Sequence, residues 1–188
     1  MRLRPGRLCA PAAAGEGDAG EECARWAERW ADRAERFQPD VVLTGASPWD
    51  AIDRKVPALG DRWLHIGDPD YDAWLRGELA QALQVLRAPG VPVVWFSQPH
   101  IDRPQTAPEN DPARVDRLNA VAAEAVDAVG GTTVADYAGW IDDDPVRSHD
   151  HELRVDGLHL GERGRSEVAD WLALPPQAAG RSPSAVTG

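Results

Sequence analysis

At 188 residues, with 43% hydrophobic residues and eight tryptophans, the chain is long and apolar enough to bury the core of one domain, which excludes a disordered protein. Its formal net charge of −11 at pH 7 works against nucleic-acid binding, because phosphates would need a basic patch that the sequence lacks. No run approaches the roughly 20 apolar residues of a membrane span, and the first residues lack the apolar run of a signal peptide. These properties predict one soluble domain without an export signal.

The two cysteines, Cys9 and Cys23, do not indicate a metal site, because they show neither CxxC spacing nor a histidine at ligand spacing. A disulfide between them would close a loop of about 15 residues and stabilise the fold by about 3 kcal/mol in the chain-entropy model. Two unpaired thiols, with Cys23 buried on a helix face, fit the sequence as well. Both alternatives stay open.

The first predicted elements are a helix and a strand. From residue 21 the apolar residues recur at helical spacing, and Gln38 and Pro39 end the helix. Residues 41–44 form a short apolar run between Pro39 and Gly45, which is typical of a buried strand. The residues on the apolar face of this helix are Cys23, Trp26, Trp30, Ala34 and Phe37.

The same order of helix and strand then repeats. Asp68 and Asp111 are each followed by proline, the N-cap and first-turn pattern of a helix. Strands are predicted at residues 91–96 and 132–135, and a last helix from about residue 161 to residue 172. The apolar stripes of the two middle helices are Tyr71, Leu75, Leu79, Ala82 and Leu86, and Val115, Leu118, Ala122, Ala125 and Val129.

Helices that alternate with apolar strands, without hairpin signals, predict an α/β fold with a parallel sheet between helices, a flavodoxin-like three-layer sandwich. We assign residues 21–174 to this domain, residues 1–20 to a loop-like N-terminal segment and residues 175–188 to a disordered tail. In such folds function collects at the carboxyl ends of the strands. The segments of interest are therefore residues 45–50, 97–103 and 136–144 and the loop around Asp156.

Asp156 and His159 are the strongest candidates for chemistry. An Asp three residues before a His, on a turn ahead of a helix, can place its carboxylate against the Nδ1–H of the ring. The carboxylate then fixes the tautomer and stabilises the imidazolium that forms when Nε2 takes a proton from a hydroxyl or a water. The alternative is a helix-capping Asp beside an incidental surface His, because so short a motif recurs by chance.

The residues around this pair resemble the last conserved block of the SGNH (GDSL-like) hydrolases. That block reads R-x-D-G-x-H-(F/L)-x-x-x-G ahead of the terminal helix, and its counterparts here are Arg154, Asp156, Gly157, His159, Leu160 and Gly164. Upstream features similar to one subgroup are P-D-V-V-L at residues 39–43, S-P-W-D at 47–50, D-R at 53–54, Arg114, Arg117, Leu118 and Asn119, V-A-D-Y at 134–137, and Cys23 leading into a Trp-rich helix. The resemblance covers roughly residues 20–174.

Members of that subgroup occur as extracytoplasmic domains fused to membrane acyltransferases that O-acylate cell-surface sugars, and also as free-standing proteins. The resemblance implies an ester hydrolase or O-acyltransferase that acts on acyl esters, such as acetyl groups on carbohydrate, and needs no cofactor. It implies His159 as the base and Asp156 as its partner. A homodimer and an association with a membrane acyltransferase stay open, and the location would be extracytoplasmic if the chain belongs to that subgroup.

The resemblance also implies that residues 45–50 form one wall of the oxyanion site, with Gly45, Ser47, Trp49 and Asp50 as oxyanion or substrate-binding residues. The family often has an Asn donor here, where this chain has A-S-P-W at residues 46–49. The Trp49 indole or a backbone N–H is the replacement that the sequence offers.

The nucleophile of the family has no counterpart in the sequence. SGNH proteins start with a strand that ends in G-D-S, whose Ser is the nucleophile, then a helix and a second strand, and neither G-D-S nor G-x-S-x-G occurs here. We therefore expect the first strand–helix–strand unit to be missing. Ser47 lies at a strand's carboxyl end but precedes Pro48 and lacks the strand-to-helix elbow of a nucleophile. Ser97 is expected to be a loop contact.

Three hypotheses account for the missing serine. The chain is a fragment of an acyl-ester enzyme that begins upstream, a non-catalytic domain that binds acylated cell-surface glycans, or an enzyme in which Asp156 and His159 activate water directly. A sheet without its first strands would have unpaired edges and an uncovered apolar face. We therefore expect the isolated chain to be marginally stable, dimeric or aggregation-prone, and a cooperative melt above about 60 °C as a dilute monomer would contradict this.

A metal site and carbohydrate stacking are further alternatives. His149 and His151, with the acidic residues 142–144 nearby, could bind zinc or calcium, but no third ligand follows at a diagnostic spacing. A solvated polar loop is the simpler interpretation. Trp49 and Trp140 lie at strand ends and could stack on a sugar, although packing is the more common use.

Overall fold

The computed structural model describes residues 25–60, 62–103 and 106–173. Cys9 and Cys23, the N-terminal segment 1–20 and the tail 175–188 lie outside these residues. The disulfide and the domain bounds therefore stay predictions.

Three strands form the central sheet. The strands in chain order are β1 (Val42–Gly45), β2 (Arg54–Lys55), β3 (Trp63–Leu64), β4 (Val93–Phe96) and β5 (Thr133–Ala135). β1, β4 and β5 lie side by side in that order, and both pairs are parallel, with Val42 opposite Val93 and Trp95 opposite Val134. The predicted α/β fold with a parallel sheet is confirmed.

A two-stranded antiparallel ribbon of β2 and β3 lies outside this sheet, with Arg54 opposite Leu64. The sequence carries no hairpin signal at these residues, so the ribbon is not among the predicted elements. Its strands have two residues each, which is too short for an alternating pattern to show.

The helices begin and end close to the capping and helix-breaking residues predicted from the sequence. The carboxylate of Asp111 caps the helix after it, accepting the backbone N–H of Ala113 at 3.0 Å. Gln38 ends the first helix in a left-handed conformation, with φ 44°, and donates its N–H to Ala34 O at 3.0 Å. The helices are α1 (Trp26–Phe37), α2 (Pro69–Arg87), α3 (Pro112–Val129), α4 (Tyr137–Asp142) and α5 (Glu162–Ala173).

The core lies between α2, α3 and one face of the sheet. All five predicted stripe residues of α2 are buried, as are the first four of α3, and they meet Val93 and Trp95 of β4. Burial of each fully buried leucine here stabilises the fold by roughly 1.5–3 kcal/mol. Phe96 points to the opposite face, where its ring centroid lies 6.4 Å from that of Trp171 on α5. The sheet therefore has helices on both faces.

The prediction that residues 41–44 form a buried strand is wrong in part. Val42 is 3% exposed, but Val41 is 45% and Leu43 42% exposed. β1 is at the edge of the sheet, and within the described residues nothing pairs with its outer side. Phe37, predicted on the buried face of α1, is also exposed. The marginal stability expected of such an edge stays a prediction.

None of the helices in the described ranges combines the length and the apolar character that a membrane crossing requires.

Candidate active site

A tight turn between residues 154 and 160 carries Asp156 and His159. Arg154 and Leu160 form an antiparallel bridge across it, and Val155 N–H donates to His159 O at 3.0 Å. Gly157, with φ 74°, donates its N–H to Arg154 O at 2.8 Å. The turn ends directly before α5, so both side chains lie near the N-terminus of this helix.

The Asp156 carboxylate accepts four hydrogen bonds. Oδ1 accepts the backbone N–H groups of Leu158 at 3.1 Å and His159 at 2.7 Å. Oδ2 accepts His159 Nδ1–H at 2.8 Å and Arg103 Nη2–H at 2.5 Å. Burial alone would raise the pKa of this carboxyl, but the hydrogen bonds from His159, Leu158 and Arg103 outweigh it and hold the pKa well below its usual range. Asp156 is therefore an anion at neutral pH.

The His159 ring presents its second nitrogen to solvent. The side chain is 71% exposed, and no contact from the described part of the chain reaches Nε2. A ring that donates from Nδ1 to a carboxylate keeps an unprotonated Nε2. Such a nitrogen can take a proton from a hydroxyl or a water placed beside it.

The loop after β4 holds this turn in place. Arg103 donates from Nε to Asp156 O at 3.0 Å, and Asp102 donates its N–H to Gly157 O at 3.1 Å. These contacts bring the Asp156–His159 turn to the loop at the carboxyl end of β4, the end of the sheet where function was expected. The sequence marks residues 97–103 as a segment of interest but does not single out Arg103.

Arg154 is the anchor beneath the turn. Its side chain is almost fully buried, and it donates from Nη1 to His100 O at 2.6 Å and from Nη2 to Ser148 O at 2.5 Å. One guanidinium thus ties the Asp156–His159 turn to the loop after β4 and to the 3-10 turn Arg147–His149. The motif contains this arginine, but only the fold shows what it binds.

The loop predicted to be solvated and polar is organised around Asp102. His149 Nδ1 lies 3.1 Å and His151 Nε2 3.2 Å from Asp102 Oδ2. The hydrogen bond from His149 lowers the pKa of the Asp102 carboxyl, against the opposing effect of its burial. Across the three described ranges, no three His, Cys, Asp or Glu side chains are grouped so that they could hold a metal ion.

Residues 45–50, the predicted oxyanion wall, form a closed loop after β1. Ser47 Oγ accepts the N–H of Trp49 at 3.3 Å, and Ser47 N–H donates to Asp50 Oδ2 at 2.9 Å. Asp50 is 3% exposed, whereas Trp49 is 54% exposed. A Cβ on Gly45 would lie 2.8 Å from Phe96 O, so the close approach of β1 and β4 requires glycine here.

Within the described residues no hydrogen bond joins this loop to Asp156 or His159. The role of Gly45, Ser47, Trp49 and Asp50 in an oxyanion or substrate site stays a prediction. Ser97 is a loop contact: its Oγ donates to Asp136 Oδ1 at 3.0 Å and accepts Ala138 N–H at 2.8 Å.

Asp50 is held inside its loop by structural partners. Arg54 Nη2 lies 3.6 Å from Asp50 Oδ1, and Tyr71 OH donates to Asp50 O at 3.0 Å. Burial raises the pKa of the Asp50 carboxyl to about 6, against the lowering effects of the Ser47 N–H and Arg54. The folded state therefore binds this proton more tightly than the unfolded state does.

We expect Asp50→Asn to change how stability depends on pH. Because the folded pKa is raised, the contribution of Asp50 is most favourable below the unfolded pKa and is lost as pH rises through about 6. In the wild type this loss amounts to about 3 kcal/mol between pH 4 and pH 7, and the variant should lack it. Urea unfolding of both proteins at the two pH values measures the difference. Equal slopes against pH would contradict the assignment, whatever the offset between the two proteins.

Three residues of the upstream resemblance lie on α3 and bind neighbouring segments. Arg114 Nη1 donates to Asp53 Oδ1 at 2.6 Å, and Arg117 Nε donates to the buried Asp72 at 2.7 Å. Asn119 exchanges two 2.8 Å hydrogen bonds with the backbone of Gln98. Their contacts shape the surroundings of the site and do not touch His159.

The Trp140 side chain packs against its neighbours and is not available as a free stacking surface. Its ring is stacked on that of Trp171, with centroids 5.3 Å apart, and Arg147 Cζ lies 4.3 Å from its centroid. The packing alternative therefore describes Trp140, whereas Trp49 is exposed on the 3-10 turn Pro48–Asp50.

Two solved structures align with this chain. The lipase/acylhydrolase from Enterococcus faecalis is similar with a TM-score of 0.55 and 21% sequence identity, over 77% of this chain and 65% of that one. A putative GDSL-like lipase from Parabacteroides merdae ATCC 43184 aligns with a TM-score of 0.49 and 19% identity over the same shares. No protein-family model matches the sequence, and a comparison with curated proteins finds no match.

The similarity to the first of these structures supports the α/β fold, with a parallel sheet between helices. At 21% identity it defines the fold alone. The chain spans 65% of the length of each of these two proteins.

Proposed function

We propose that this chain is an SGNH-type acyl-ester hydrolase or O-acyltransferase domain, with His159 as the base and Asp156 as its partner. One observation carries the proposal. The Asp156 carboxylate binds His159 Nδ1–H at 2.8 Å, while Nε2 is open to solvent on a turn that the loop after β4 holds.

The chemistry follows from this pair. His159 Nε2 takes the proton of an attacking hydroxyl, and the anionic Asp156 stabilises the imidazolium that forms. The same nitrogen then returns the proton to the leaving alcohol as the ester bond breaks. Transfer of the acyl group to water is hydrolysis, and transfer to another alcohol is acyl transfer. The sequence resemblance favours acyl esters on carbohydrate as the substrate.

None of the serines considered among the described residues supplies the attacking hydroxyl. Ser47 and Ser97 both use Oγ in local hydrogen bonds, and neither is bonded to His159. We therefore assign the nucleophile to a serine encoded upstream in the same reading frame. A binding domain for acylated glycans, and direct activation of water, are the competing outcomes.

Labelling with a fluorophosphonate probe tests the proposal. The chain is compared with a version extended upstream in frame, each with His159→Ala and with His65→Ala as the matched control. His65 is a half-exposed histidine whose Nδ1 contacts Ile66 O at 2.7 Å, away from the turn.

We expect only the extended form to label, at a serine in a new G-D-S, and His159→Ala alone to abolish labelling. Labelling of the present chain at Ser47 would show that the expected absence of a nucleophile is wrong. If neither form labels, the serine-nucleophile proposal fails, and hydrolysis of p-nitrophenyl acetate then distinguishes direct activation of water from a glycan-binding domain.

A further inference from the structure

Arg103 contacts Asp156 at two points. Nη2 donates to the carboxylate Oδ2 at 2.5 Å and Nε donates to the backbone O at 3.0 Å. The arginine side chain is 20% exposed, so most of it is covered by the loop and the turn that it joins. A two-point contact of this kind fixes direction as well as distance.

The oxygen that Arg103 binds is the one that receives His159. Oδ2 accepts both Arg103 Nη2–H and His159 Nδ1–H, while Oδ1 is held by two backbone N–H groups. With four donors in place, the carboxylate cannot rotate without losing a charge-assisted bond. The orientation of the His159 ring is therefore set in part by a residue 53 positions away from Asp156 in the sequence.

The charge of Arg103 acts on the same pair. The guanidinium on Oδ2 is one of the groups that lower the pKa of the Asp156 carboxyl, and it therefore helps to keep this side chain an anion that accepts His159 Nδ1–H. The other charged groups on the adjoining loops are Asp102, which lies next to Arg103, and His149 and His151, which face Asp102. These groups pair with one another, and none of them contacts His159.

We propose that Arg103 is a positioning residue of the ester-cleaving site, which locks Asp156 against His159 and so holds the ring as the Nδ1–H tautomer, with Nε2 free to take a proton. The inference rests on the proposed function but concerns a property that exists without substrate. An arginine that served only to brace the loop would leave the tautomer of the His159 ring unchanged.

The test follows the ring nitrogens of His159 by ¹⁵N NMR as a function of pH. The proteins are the wild-type chain, Arg103→Gln, Arg103→Lys and Arg76→Gln. Arg76 is the matched control, because it forms a 2.6 Å ion pair with Glu124 between α2 and α3, away from the turn. The measurement needs no nucleophile and no ester.

At a pH where the ring is neutral, we expect Arg103→Gln to lower the ratio of the Nδ1–H to the Nε2–H tautomer of His159 by about fivefold, the equivalent of one hydrogen bond. Arg103→Lys, which offers one donor group in place of the two-point contact, should lower this ratio by a smaller factor, and Arg76→Gln should leave it unchanged. An unchanged ratio in Arg103→Gln would overturn the proposal. If that variant does not fold, a wild-type ratio in Arg103→Lys overturns it instead.

The two proposals fail separately. A changed tautomer ratio together with an absence of fluorophosphonate labelling would leave Arg103 acting on His159 in a site that is not an esterase. Labelling with an unchanged tautomer ratio would keep the esterase and remove Arg103 from its machinery.

Discussion

Replacement of Gly157 by alanine is expected to lower the free energy of unfolding by about 3–5 kcal/mol. Gly157 has φ 74°, a conformation that alanine adopts only with strain, and a Cβ there would lie 1.6 Å from Asp102 O. Two backbone segments would have to separate, with the loss of the hydrogen bond from Asp102 N–H to Gly157 O. Because Arg103 follows Asp102, the same shift would release Asp156 and misplace His159. Urea unfolding measures the loss.

Two further glycines provide matched controls. Gly90 has φ 78°, but no atom lies within 4 Å of the position that a Cβ would take, so Gly90→Ala should cost only about 1 kcal/mol. Gly77 lies inside α2 with open space around it, and Gly77→Ala should stabilise the helix by up to about 1 kcal/mol. A Gly157→Ala protein as stable as Gly90→Ala would show that the turn and the loop are not in close contact.

The second large effect is expected for Arg154→Met, which should cost about 3 kcal/mol or more. Methionine fills much of the same space but leaves the carbonyls of His100 and Ser148 without the donors at 2.6 Å and 2.5 Å. The Asp156–His159 turn, the loop after β4 and the 3-10 turn would lose the side chain that binds them together. Thermal and urea unfolding report the stability, and fluorophosphonate labelling of the extended form should fall with it.

Arg163→Met is the control for that substitution. Arg163 lies nine residues further on, is 45% exposed, and pairs with Asp150 and with Glu167 at 3.3 Å. Exposed ion pairs contribute little, so this variant should stay within about 1 kcal/mol of the wild type. Equal stability of the two variants would contradict the anchoring role of Arg154.

The sequence could predict those parts of the fold that rest on local patterns. α2 and α3 combine an Asp-Pro start with a long apolar stripe, and both lie at nearly the predicted bounds. The predicted burial of β1 is too high, because an apolar run looks the same in an edge strand as in a central one. Whether Leu43 is covered depends on which strand lies beside it, and that is a property of the whole sheet.

In the candidate site, too, the features set by local sequence could be predicted and those set by long-range contacts could not. The three-residue spacing of Asp156 and His159 is local, and the structure brings the two side chains into contact as the spacing suggests. Arg103 could not be found from spacing, since its contact with Asp156 closes only when the loop after β4 meets the turn. The motif around Asp50 predicts a substrate-facing residue, but its burial and its contacts with Ser47, Arg54 and Tyr71 become visible only in the folded loop.

Asp156 and His159 are proposed to act together on an acyl ester. The most direct measurement is the rate of p-nitrophenyl acetate hydrolysis by the upstream-extended protein, with and without Asp156→Asn. Asparagine keeps an oxygen for the N–H groups of Leu158 and His159 but no longer fixes the tautomer of the ring. We predict a fall of about 10³–10⁴-fold in kcat at an unchanged fold. A variant that keeps its rate within about tenfold, or an extended protein that hydrolyses no ester, would contradict the account.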